Sequence, residues 1–375
     1  MFPSHLEGSG RIKAVDSPGN SGLIPFYGNP VMDFGIYLTF RNPRSWRRSI
    51  GEIYRDQIAD AVLAEELGYG HVWTSEHHFR DDAWSPSLFP ILGAIAGRTK
   101  RIRLGTYILI LPFHNPLLVA EDAAAVDIIS DGRLDLGVGP GNFLSEYETF
   151  GVPRPERRPR MHEGLEIIRR AFSEEHFSFK GTYHSFPNVA LSPKPIQQPH
   201  PPIWVAAIGE QAIKQAAQRG YHLAGGGPPQ SQAIYDAALR AAGRDPSEYQ
   251  IAQFRVMYLA ETREQAWDDA EQYIHYVMTS YDDEFKRAQD LLSQESTTPP
   301  VAEAGALRKL PELMFNGATI LVGSPADAID DLQRYKSQAR MTHIVLWMHL
   351  PGLDNRKARR SMELFAEQVM PHFRD

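Results

Sequence analysis

The residues best equipped for chemistry in this sequence stand together as Glu76-His77-His78-Phe79. An imidazole titrates near neutral pH, so it can give or take a proton under working conditions. A neighbouring carboxylate can orient such a ring, and an aromatic side chain can shield it. Other reactive or unusually small residues recur after short apolar runs: Leu111-Pro112-Phe113-His114-Asn115-Pro116, Gly137-Val138-Gly139-Pro140-Gly141-Asn142-Phe143, Ala206-Ala207-Ile208-Gly209-Glu210 and Trp347-Met348-His349. Small residues on neighbouring loops let a large planar ligand approach the backbone. The helix opening at Ile208-Gly209-Glu210 offers free amides and a positive dipole end, which suit a phosphate provided Glu210 points away. Glu76, His77, His78 and His114 also read as metal ligands. Adjacent strand residues point to opposite faces, however, so no metal site is expected.

These groups need elements that carry them to one place. Strand-like and helix-like stretches alternate along the chain. Strands are expected at Asp33–Phe40, His71–Ser75, Ile102–Leu111, Arg133–Val138, Ile203–Ala207, Tyr221–Ala224, Ile251–Leu259 and His343–Met348. Helices fall between them, at Glu52–Leu67, Leu88–Ala96, Leu117–Ile129, Arg160–Phe172, Gln211–Arg219, Ser231–Ala242 and Pro325–Gln338. Eight such units predict an α/β fold, a parallel (β/α)8 TIM barrel with an insertion between strands seven and eight at about Tyr281–Pro311. An open doubly wound sheet is weaker, because no GxGxxG follows the first strand. On a barrel, the strands' carboxyl ends converge on one face, and the reactive segments lie at those ends.

Composition narrows the class. The 375 residues include no cysteine, which excludes disulfides, thiolate metal sites and cysteine nucleophiles. A net charge of −7, without a basic run, argues against nucleic acid or an anionic membrane as partner. No apolar run is long enough to span a bilayer. Residues 1–31 read as an N-terminal extension and 32–375 as the barrel domain, with a cytoplasmic location.

GYGHVWTS followed by EHHF, then KRIRLGTYILILPFHNPLLVAEDAAAVDIISDGRLDLGVGPGN, then PHPPIWVAA together resemble the bacterial luciferase-like flavin monooxygenases. The resemblance implies a homodimeric barrel. It also implies reduced FMN from a separate NAD(P)H-dependent flavin reductase, dioxygen, and oxidation of a small organic substrate through a flavin C4a-(hydro)peroxide. His77 matches the family's catalytic histidine. Glu76, Gly141, Asn142, Phe143, Ala207, Ile208 and Gly209 fall at cofactor-binding positions, and Tyr107-Ile108 falls where relatives hold a cis peptide under the flavin ring. His78, Phe79, His114 and Trp347 are expected to line the substrate pocket, and Glu76 to orient His77 or contact the flavin.

Pro140 stands where luciferase has a phosphate-binding arginine, and Ala212 replaces a hydroxyl residue. Arg154, Arg157 and Arg158 read as solvated surface. Two alternatives share the fold: a deazaflavin-dependent oxidoreductase, which more often carries an Asp-His pair in place of the EHHF found here, and a non-catalytic flavin-binding protein.

Overall fold

Strand β1 (Asp33–Leu38) shows how the walls are built. Phe34, Ile36 and Leu38 pack outward into an apolar layer shared with the helices, while Gly35 and Tyr37 face the other way. That is the two-residue period of a strand covered on both faces. The computed structural model describes residues 32–225, 227, 229–291, 303–310, 313–315, 318–340 and 342–374; the expected extension, 1–31, lies outside them.

Helix α1 (Ile50–Leu67) returns the chain and stops at Gly68, whose φ of 85° only glycine adopts freely. Next come β2 (His71–Thr74), α2 (Leu88–Ala96), β3 (Arg103–Thr106), its continuation β4 (Leu109–Ile110), α3 (Pro116–Ile129) and β5 (Leu134–Gly139). Then follow α4 (Leu144–Phe150), α5 (Arg157–Ser173), a hairpin of β6 (Phe177–Lys180) and β7 (Ser185–Val189), β8 (Ile203–Ala206) and α6 (Glu210–Arg219). The chain continues through β9 (His222–Ala224), α7 (Pro229–Ala241), β10 (Ile251–Leu259) and α8 (Arg263–Leu291). Strands β11 (Leu313–Phe315) and β12 (Ala318–Gly323), helix α9 (Pro325–Lys336), β13 (His343–Trp347) and α10 (Asn355–Leu364) complete it.

Eight of these strands, in the order β1-β2-β3-β5-β8-β9-β10-β13, pair in parallel, and β13 closes on β1. The barrel is therefore the expected one. It departs from the sequence reading in three places. The third strand is broken between Thr106 and Leu109, where the Tyr107–Ile108 peptide is cis. The long connection after β5 contains α4 and the β6–β7 hairpin. In the insertion, α8 runs on to Leu291, and β11 pairs antiparallel with β12, which joins β10.

Inside the barrel, Trp73 and Trp204 meet edge to face, with centroids 5.4 Å apart. Glycine makes room for the Trp73 indole: a Cβ on Gly105 would lie 2.2 Å from its ring. At the strands' amino ends sits a charged floor. His71 Nδ1 lies 2.8 Å from Asp33 and its Nε2 3.3 Å from Asp135, to which Arg103 Nε donates at 2.7 Å. Burial opposes charge on His71, yet the two carboxylates raise its pKa to about 9. Burial, together with the charge on His71, lowers His343 to about 3; burial lowers His222 to about 4.

Candidate functional site

The strands' carboxyl ends surround a cavity of about 700 Å³. Of the residues singled out from sequence, Glu76, His77, Tyr107, Ile108, Gly141, Asn142, Ala207, Ile208, Gly209 and Trp347 line it. Phe143 lies just behind the wall, buried and stacked on His77 at 4.3 Å. His78, Phe79 and His114 are not among the lining residues. The chain turns at Phe79, in the left-handed region at φ 56°, and leaves its ring 67% exposed on the outer surface. His78 packs beside Phe113 and Phe150 instead.

His77 and Glu76 diverge, as neighbours at a strand end should. Glu76 Oε1 accepts from His78 Nε2 at 2.5 Å and His114 Nε2 at 2.6 Å, and its Oε2 accepts the Ile110 N–H at 2.7 Å. Burial works against the Glu76 charge, but the two histidines draw its pKa down to about 2. Glu76 therefore braces the third strand's loop and does not orient His77. That position belongs to Glu146, near the start of α4. Glu146 Oε1 lies 3.0 Å from His77 Nδ1 and accepts the His78 backbone N–H at 2.7 Å. The His77 ring is further boxed by Trp84 and Tyr281, with centroids 4.3 and 6.2 Å away. Its Nε2 has no hydrogen bond among the described residues.

A second corner is cationic. Arg154, Arg157 and Arg158, at the entry to α5, line the cavity together with Gln211, Ala212 and Arg219 of α6. The surface reading is thus corrected for Arg154 and Arg157, which are half-buried in the cavity wall; Arg158 also lines the cavity but stays exposed. None of the three has a carboxylate partner among the described residues, and the Nε of Arg154 is buried without an acceptor. Burial, with Arg154 and Arg158 beside it, lowers the pKa of Arg157. Glu76, held by two histidines, is the one carboxylate among the described lining residues.

Gly209 caps α6 at φ 85°, and a Cβ there would meet open space. The Glu210 side chain turns away to Lys214, 2.6 Å distant and exposed. One cavity wall therefore holds both a helix amino end and guanidinium groups, each of which attracts anions.

The remaining wall is aromatic. Tyr107 stacks on Phe254 at 6.0 Å, and Tyr37 meets Trp347 edge-on at 5.5 Å. Gly141, at φ 68°, keeps the fourth strand's loop close: a Cβ there would lie 2.7 Å from Ile110. Sequence reasoning missed Glu146, Tyr37, Phe254 and Tyr281. A lone glutamate in a seven-residue helix and scattered aromatics carry no pattern that marks them. An imidazole, a group of guanidiniums and an aromatic wall thus share one cavity.

The chain is similar to known proteins over most of its length. The chain is 27% identical over 338 residues to the oxygenase component of the flavin-dependent trigonelline monooxygenase of Acinetobacter baylyi, covering 86% of this chain and 90% of that protein. It is 28% identical over 339 residues to an F420-dependent glucose-6-phosphate dehydrogenase of Amycolatopsis mediterranei, covering 85% and 95%. The crystal structure of the monooxygenase RslO1 from Streptomyces bottropensis superimposes with a TM-score of 0.79 at 30% identity, covering 91% of this chain and all of that one. The model of the luciferase-like monooxygenase family matches residues 32–342, and the chain belongs to that family.

Proposed function

We propose that the protein is a flavin-dependent monooxygenase that uses reduced FMN and dioxygen to oxidise a small apolar organic substrate. The observation that carries this reading is one cavity lined by a fixed imidazole, His77, and by arginines that have no carboxylate partner among the described residues, together with the opening of α6. The residues fit the cofactor. Arg154, Arg157, Arg158 and the amides at Ile208 and Gly209 would hold its phosphate; Tyr107, Ile108, Gly141 and Asn142 would support its ring. When bound, reduced FMN supplies the electrons that activate dioxygen; one oxygen atom enters the substrate and the other leaves as water.

The chain's own residues do the rest. His77 presents Nε2 to the cavity and moves a proton there, because Nδ1 is committed to Glu146. Tyr37, Phe254, Tyr281 and Trp347 exclude water and give an apolar substrate its surface. The electrons come from a separate NAD(P)H-dependent flavin reductase, a reading supported by the relative named as an oxygenase component.

A deazaflavin-dependent oxidoreductase is the second reading, favoured by the F420-dependent relative. Anaerobic titration with reduced FMN and with reduced deazaflavin, followed by rapid mixing with oxygenated buffer, separates the two. Tight FMN binding and a transient absorbance preceding oxidised flavin support the monooxygenase. Preference for deazaflavin, with FMN oxidised no differently from free flavin, overturns it.

A further inference from the structure

We infer that Glu146 is the positioning residue for His77: it fixes the ring's tautomer and which ring nitrogen faces the cavity. This rests on the reading of His77 as the proton-transfer group, and it names the partner that makes the transfer directional.

Glu146 is 1% exposed, and its Oε2 is buried without a hydrogen-bond partner. A carboxylate withdrawn from water needs a compensating charge. The side chain hydrogen-bonded to it is His77, at 3.0 Å. A carboxylate accepts but does not donate, so Nδ1 must carry a hydrogen whether the ring is neutral or charged. Nε2 is then the nitrogen that gains and loses the mobile proton, on the side His77 turns to the cavity. The ring cannot rotate away, since Phe143, Trp84 and Tyr281 enclose it.

The other titratable or charged groups around the pair are few. Arg80, from the loop after β2, lies over the Phe143 ring at 5.4 Å; Tyr281 contributes a phenol from α8; and His78 turns its side chain to Glu76. None stands between Glu146 Oε1 and Nδ1.

The same Glu146 oxygen accepts from His77 Nδ1 and from the His78 backbone N–H. This makes Glu146→Gln informative. The backbone donor holds the amide oxygen in place, so glutamine keeps an acceptor at Nδ1. Nitrogen-15 NMR of histidine-labelled protein, with the His77 signals assigned by their loss in His77→Ala, reads the tautomer without any turnover. In the wild type and in Glu146→Gln, neutral His77 should show hydrogen on Nδ1; in Glu146→Ala that preference should be lost. Should Glu146→Ala not fold, Glu146→Ser serves instead, with the same loss expected. Hydrogen on Nε2 in the wild type, or an unchanged Nδ1–H preference in the folded Ala or Ser variant, overturns the inference. The readout does not depend on flavin, so failure of the cofactor reading would be seen separately.

Discussion

The two ends of the barrel interior handle charge in opposite ways. At the amino end, Asp33, His71, Arg103 and Asp135 neutralise one another in a closed, tightly packed layer under Trp73 and Trp204. At the carboxyl end, Arg154, Arg157 and Arg158 line a cavity with no carboxylate to pair them among the described residues, and His77 has a nitrogen with no hydrogen bond among those residues. Both layers use charged and imidazole side chains. What differs is whether the polar groups neutralise each other or leave capacity for a ligand.

That contrast breaks if changes at the two ends have interchangeable effects. The largest expected effect is at His77. In His77→Ala, turnover should fall by roughly 10²–10⁴-fold, the usual worth of positioned acid–base catalysis, with thermal stability little changed. Steady-state oxygenation alongside a melting curve checks both halves, and undiminished turnover would remove His77 from its assigned role. Asp135→Asn should do the reverse. Breaking a buried charge network costs about 3–5 kcal/mol, so the midpoint should drop by roughly 5 °C in a domain of this size while activity per folded molecule stays near wild type.

The pH dependence of stability sharpens the same point. His71 titrates at about 9 in the fold, above the roughly 6.5 of an unfolded histidine. Its stabilisation is complete below about pH 6.5 and drains away as pH rises towards 9, a loss on the order of 3 kcal/mol. His222 and His343 are held neutral down to about 4 and 3, so their contribution is lost as pH falls below 6.5. Melting temperature should therefore peak near pH 6.5, and His71→Gln should flatten the alkaline limb. A limb unchanged in that variant would assign the decline to other groups. The smallest expected effect is at the anion corner. Arg158→Ala should weaken FMN by about 10–100-fold, the worth of one charge-assisted hydrogen bond, and leave riboflavin untouched. Equal weakening of both ligands would mean that Arg158 shapes the pocket and does not hold the phosphate.

Much of the frame was legible because barrel strands are short, apolar and followed by chemically distinctive loops. All eight expected strands, and the convergence of Glu76, His77, Asn142 and Gly209 on one face, follow from that pattern. The β6–β7 hairpin was not legible, since its strands are four and five residues long and mostly exposed, too short for the Phe177/Phe179 alternation to stand out. His78 and His114 were placed in the pocket because their type and spacing match those of His77. A left-handed turn at Phe79 and the bracing carboxylate of Glu76 send them elsewhere, and neither is written in a motif. The arginines were misread for a related reason. A guanidinium on a loop looks the same in sequence whether it faces water or a cavity, and only the tertiary fold decides.

The unneutralised corner is tested most directly by comparing the anaerobic binding of reduced FMN and reduced riboflavin, which differ only in the phosphate. FMN is expected to bind at least about 30-fold more tightly, with the advantage shrinking as salt rises. Equal affinity for the two would contradict a phosphate site at Arg154, Arg157, Arg158 and Gly209.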